Sequence, residues 1–144
     1  MGESRKSIKL EYEITGNDFT KAGEASSNVK KILTQLGIKS KIIRRVAIAT
    51  YEVEMNVVIH SIGGDITVTI DTNKIQIKAV DRGPGIENID LAMKEGFSTA
   101  PNSVRELGFG AGMGLPNMKR CSDEFNITSS KESGTEVLMN ININ

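Results

Sequence analysis

Lys74-Ile75-Gln76-Ile77-Lys78-Ala79-Val80 runs directly into Asp81-Arg82-Gly83-Pro84-Gly85-Ile86, and the junction between the two decides which fold the chain can adopt. Ile75, Ile77 and Ala79 share one side of a strand with a two-residue period, so Asp81 points to that same side, toward the core. A buried carboxylate is costly unless a partner in the chain or a ligand completes it. Gly83 and Gly85 carry no Cβ, which allows a sharp turn and lets a flat or phosphorylated ligand approach the backbone, with Pro84 stiffening the turn between them. The stretch reads as half of a nucleotide pocket. The same residues also suit an ordinary strand-ending turn, and the stretch by itself does not separate the two.

On the N-terminal side, Ile8, Leu10, Tyr12 and Ile14 alternate with Lys9, Glu11 and Glu13, the pattern of a strand with one wet face. From Asp18, read as an N-cap, Phe19, Ala22, Ala25, Val29, Ile32, Leu33 and Leu36 recur at helical spacing, and Gly37 stands at the C-cap. Ser40 is read as capping a second helix that begins amphipathic and turns almost wholly apolar through Val57, Val58 and Ile59. Ile66, Val68 and Ile70 then form a strand that returns through Asp71-Thr72-Asn73 into the Lys74 run, as a hairpin.

On the C-terminal side lie a short helix candidate around Ile89 to Glu95 and a polar, glycine-bearing segment from Gly96 to Gly114. A helix from Leu115 to Cys121 follows, with Pro116 in its first turn, where a missing N–H costs nothing. Phe125 and Ile127, then Val137, Met139, Ile141 and Ile143, mark two closing strands. Strands at both ends and in the middle, separated by helices that need a common surface, predict a single α/β domain over residues 1–144. It is expected to be a two-layer sandwich, a mixed, mostly antiparallel sheet with helices on one face.

Eighteen basic and eighteen acidic residues give a net charge of zero. With no long basic run there is no electrostatic footprint for nucleic acid or an anionic membrane. Cys121 is the single cysteine and cannot form an internal disulfide, and no apolar run is long enough to span a bilayer, so a cytoplasmic location is expected. Cys121 itself is read as a small hydrophobe without a functional role.

Glu52, Asn56 and His60 lie four apart on the second helix and share one face. An Asn carbonyl oxygen suits Mg²⁺, and a glutamate can take a proton or orient a nucleophile near a phosphate, so the pair fits phosphoryl transfer. Zinc is a competing reading that a poor ligand such as Asn and a single histidine disfavour, and a mutually hydrogen-bonded core is another. Gly108-Phe109-Gly110-Ala111-Gly112-Met113-Gly114 runs straight into the Leu115 helix and offers free N–H groups at a helix start, where anions bind. It lacks the Gly-Lys-Ser/Thr ending of a P-loop and the spacing of a dinucleotide fingerprint, and by composition it also fits a flexible linker. Thr135 shares parity with Val137, Met139 and Ile141 and presents a hydroxyl to the core, which an ordinary half-buried strand threonine would do as well. Lys119 and Arg120 are read as last-turn basic residues that favour the helix dipole.

Glu-x-x-x-Asn-x-x-x-His on a helix, Asp-x-Gly-x-Gly, a lid ending in Gly-x-Gly, and Gly-Thr before the last strand together resemble the GHKL nucleotide-binding superfamily of gyrase, histidine kinases and anti-sigma-factor kinases. Gly96-Phe97-Ser98-Thr99, Gly110 to Pro116 and Asp123-Glu124-Phe125 look like the small bacterial serine/threonine kinases of partner-switching and stressosome pathways. The resemblance implies the histidine-kinase-type ATPase domain, or Bergerat fold, with ATP and Mg²⁺ as cofactors. It implies that Asp81 takes the adenine amino group with Thr135 assisting, and that Gly83, Gly85 and Ile86 shape the adenine pocket. Asn56 would hold Mg²⁺, His60 would lie near the phosphates, and Gly110, Gly112, Met113, Gly114 and Leu115 would wrap them. Glu52 would be the general base.

The activity implied is protein serine/threonine phosphorylation of a small STAS-type anti-sigma-factor antagonist. The alternatives are an ATP-gated anti-sigma factor that holds a sigma factor, and a nucleotide-gated activator of a phosphatase; a homodimer is compatible with each. The only histidine sits at the pocket and not on a dimerisation helix, which argues against histidine self-phosphorylation. Ala100 to Leu107 makes this lid longer than in the stressosome-type switch kinases.

Overall fold

The computed structural model describes residues 7–16, 18–60, 63–82, 114–130 and 134–143. In chain order these form β1 (Ile8–Thr15), α1 (Glu24–Gln35), α2 (Ser40–His60), β2 (Gly63–Ile70), β3 (Lys74–Asp81), α3 (Gly114–Cys121), β4 (Glu124–Ser130) and β5 (Gly134–Asn142). The short helix expected around Ile89 to Glu95, and the glycine-bearing segment after it as far as Met113, lie outside the described residues.

The five strands make one sheet in the order β1-β2-β3-β5-β4, and all four pairings are antiparallel. The expected mostly antiparallel sheet thus contains no parallel pair among its described strands. The alternation read from sequence sets the faces. Ile66, Val68, Ile75, Ile77, Ala79, Val137, Met139 and Ile141 are all buried under the helices. Their neighbours Lys74, Lys78, Glu124, Asn126 and Glu136 are exposed on the other face. In the β2–β3 turn, Asp71 Oδ1 accepts the N–H groups of Asn73 and Lys74 at 2.7 and 2.8 Å, an Asx turn that fixes the hairpin register.

One close approach in this hairpin matters for the site. Gly64 pairs with Asp81. A Cβ on it would stand 2.5 Å from the Val80 carbonyl oxygen and 2.9 Å from Asp81 Cα, so only glycine lets β2 lie against the strand end that carries Asp81. The ladder continues one step beyond, from Arg82 N–H to Gly63 O at 2.8 Å.

Helix α2 is the central element of the described helical layer: it packs on β1, β2, β3 and β5 and on both other described helices. Val46, Ala49, Val53, Val57 and Val58 form its buried stripe. Ser40 is its first helical residue, so it does not precede the helix as a cap; the Lys39 carbonyl accepts the first N–H groups, from Ile42 and Ile43.

The start of α1 differs from the sequence expectation. Asp18 accepts from Thr20 in a local turn, and the helix begins at Glu24 after Gly23. Its free N–H groups are satisfied from a distance: Gly23 and Ala25 donate to Glu54 Oε2 and Ser26 to Glu54 Oε1, at 3.1 to 3.2 Å. At the other end Gly37 (φ 76°) closes α1, its own N–H donating to Thr34 O and that of Ile38 to Leu33 O, the two hydrogen bonds of a Schellman cap. Among the described residues, no helix is long and apolar enough to cross a membrane.

Candidate functional site

Two pairs of polar side chains stand out of this framework. The first is at the C-terminal end of β3. Asp81 is 8% exposed, and its Oδ1 accepts the backbone N–H of Thr135 at 3.1 Å. Thr135 is buried beside it, and its Oγ1 lies 2.9 Å from Ser129 Oγ on β4. The inward parity of Asp81 and Thr135 therefore holds, and the strand order explains it: β5 is the neighbour of β3. Sequence parity found the threonine hydroxyl but not the more direct contact, which comes from its main chain.

The second pair lies between α2 and α3. Glu52, half-buried, accepts a hydrogen bond at Oε2 from Asn117 Nδ2 at 2.6 Å, and Asn117 Oδ1 accepts one from Arg120 Nη2 at 2.6 Å. Asn56 follows one turn later on the same face, half-buried and without a side-chain hydrogen bond among the described residues. Its amide oxygen is the kind of neutral donor a hard divalent cation takes. His60 ends α2, and its side chain lies outside the described residues. Gly114 opens α3, and Leu115, buried, anchors it. Gly83, Gly85, Ile86, Gly110, Gly112 and Met113 lie outside the described residues. Among the described residues no hydrogen bond joins the two pairs; the packing of α2 across β3 and β5 holds them in one body.

The position of α3 against α2 is fixed twice. Arg45 Nε donates to the Cys121 carbonyl at 3.0 Å and its Nη2 meets Asp123 Oδ1 at 3.2 Å, while seven residues further along α2 Glu52 meets Asn117. The backbone N–H of Asn142 and then Arg45 hold the Asp123 carboxyl below its ordinary range. Burial pushes the Cys121 thiol up, in keeping with a packing role.

Two residues were not singled out in the sequence. Glu54, 1% exposed, spends both oxygens on the N-terminus of α1 and so locks α1 to α2 two positions from Glu52. Burial, and then the Glu54 charge, raise the Tyr12 phenol, which donates to Asn28 at 2.6 Å. The available signal was its place on the stripe with Thr50 and Val58, where a carboxylate must find donors. Asn117 carried no signal of its own.

The structure thus holds a carboxylate fixed by a main-chain N–H at a strand end, next to a strand that carries a buried threonine, and a helix bearing Glu and Asn on one face. The chain belongs to the histidine kinase-, DNA gyrase B- and HSP90-like ATPase family, whose pattern matches residues 41–143. That span runs from α2 to β5 and includes Glu52, Asn56, Asp81 and Thr135. Among relatives, it is 34% identical to the serine/threonine-protein kinase RsbT of Bacillus subtilis over 83% of this chain and 85% of that one. It is 28% identical to the anti-sigma F factor of Clostridium acetobutylicum over 96% and 94%. Part of a solved structure of the RsbU and RsbW domains of a Mycobacterium tuberculosis protein has the same fold, with a TM-score of 0.59 and 16% identity, over 92% of this chain and 32% of that one.

Proposed function

We propose that this protein is an ATP-dependent serine/threonine kinase that phosphorylates a small STAS-type anti-sigma-factor antagonist. The observation that carries the reading is the Glu52 carboxylate held by Asn117 on the helix face that also bears Asn56, in a chain of this ATPase family. ATP is the substrate. Asp81 accepts the adenine amino group, oriented by the Thr135 N–H, with the Thr135 hydroxyl at its side. Asn56 would hold Mg²⁺, which would neutralise phosphate charge when bound. Gly114 and Leu115, with the glycines before them, offer N–H groups to the phosphates at the start of α3.

Glu52 takes the proton of the partner's Ser or Thr hydroxyl as its oxygen bonds the γ-phosphorus. The bond from that phosphorus to the β-phosphate oxygen breaks, and ADP leaves. The protein's part is placement and charge stabilisation, so the hydroxyl must be delivered by a docked partner.

A second reading, an ATP-loaded anti-sigma factor that is released through the same phosphorylation, is favoured by the anti-sigma F factor likeness over nearly the whole chain. Incubation with γ-labelled ATP and a panel of STAS-domain proteins, with phosphosite mapping, tests the kinase. Label is expected on a Ser or Thr of one acceptor, and label confined to this chain would overturn the reading. Stable capture of a sigma factor only with ATP would favour the second reading.

A further inference from the structure

Asn117 sits on the fourth residue of α3, the helix that follows the Gly108 to Gly114 cluster, and its side-chain amide bridges two groups of opposite character. Nδ2 donates to Glu52 Oε2 at 2.6 Å and Oδ1 accepts from Arg120 Nη2 at 2.6 Å. A guanidinium has only donors and an ionised carboxylate only acceptors, so the amide has one orientation, with its nitrogen on Glu52. Glutamate is a long side chain with several rotatable bonds. Held at Oε2, it keeps Oε1 as the oxygen left to meet a hydroxyl, and among the described residues Oε1 receives no hydrogen bond.

We infer that Asn117 is a positioning residue for phosphoryl transfer: it fixes the Glu52 carboxylate from the helix that begins at the phosphate-binding glycines. The inference rests on Glu52 being the general base. It makes the alignment of the base depend on where α3 lies, so that any displacement of α3 relative to α2 at that level moves the base. Arg45, two turns away, holds the far end of α3. Arg120 polarises the amide and keeps it from flipping.

The test is a double-mutant cycle in the full chain, read by single-turnover transfer from γ-labelled ATP to a STAS-domain acceptor that the parent labels, alongside ATP affinity by calorimetry. Asn117→Ala is expected to slow transfer about 10- to 100-fold at saturating ATP, as a misplaced reacting group does, with ATP affinity changed less than about threefold. Asn117→Asp, the same in shape, removes the donor and sets a carboxylate against Glu52, so it should lose at least as much without loss of fold. In a Glu52→Ala background neither change should slow transfer further, because the group being positioned is gone.

Parental transfer in both Asn117 variants would overturn the inference, as would losses that multiply with that of Glu52→Ala. Full transfer by Glu52→Ala alone would overturn it through its premise and would identify the base assignment as the part that fails.

Discussion

Replacing Asp81 by asparagine separates recognition of the base from stability of the fold, because the structure dictates how the new amide must sit. The Thr135 N–H points at Oδ1 from 3.1 Å, so the asparagine oxygen has to take that place and its NH2 group takes the place of Oδ2. The hydrogen bond from Thr135 and the close contact with Gly64 survive, and the stability of Asp81→Asn should stay within about 2 kcal/mol of the parent. Toward adenine the exchange is severe, since an NH2 donor now faces the donating amino group. The lost hydrogen bond to a charged acceptor is worth about 1.5–3 kcal/mol, or roughly 10- to 150-fold in affinity. At 8% exposure water has little room to compensate, which favours the upper end. A donor there also suits a ring carbonyl, so the preference for ATP over GTP should narrow. Calorimetric titration of parent and variant with ATP, ADP and GTP reads all of this. A folded Asp81→Asn that binds ATP as tightly as the parent refutes the pocket assignment.

Glu54→Gln should destabilise the protein by about 2–4 kcal/mol in urea titrations, because one amide cannot accept three backbone N–H groups and leaves a buried donor facing a donor; a change below about 0.5 kcal/mol would mean the α1 start finds other partners. Asp123 is held below the ordinary carboxyl range, so its contribution to stability is present at neutral pH and disappears as pH falls through its folded value. Asp123→Asn should therefore be less stable than the parent near pH 7 and about equal to it near pH 2, and a constant difference across the range would contradict that origin.

Features set by neighbouring residues were legible in the sequence, and features set by distant partners were not. Strand faces were legible because a two-residue period leaves no freedom: Ile75, Ile77 and Ala79 fixed the side of Asp81, and Val137 and Met139 that of Thr135. Gly37 was legible because its cap is made by the adjacent residues. The start of α1 was not, since its cap comes from Glu54, about thirty positions away, and Asp18 offered a local alternative that the chain uses for a turn. Asn117 was invisible for the same reason. Its partner Glu52 lies 65 positions earlier, and nothing local to α3 signals it. Arg120, read only as favourable to the helix dipole, also holds Asn117. Cys121 packs against the core as a half-buried helix-end residue, as its chemistry suggested.

On the proposed reading Glu52 moves a proton in phosphoryl transfer and does not hold the nucleotide. The direct measurement compares parent and Glu52→Ala for ATP affinity and for single-turnover transfer to the same acceptor. Affinity within about threefold and transfer slower by about 10²- to 10⁴-fold, the contribution of a positioned base, are expected. Transfer at the parental rate, or a loss of ATP binding as large as the loss of transfer, would contradict it.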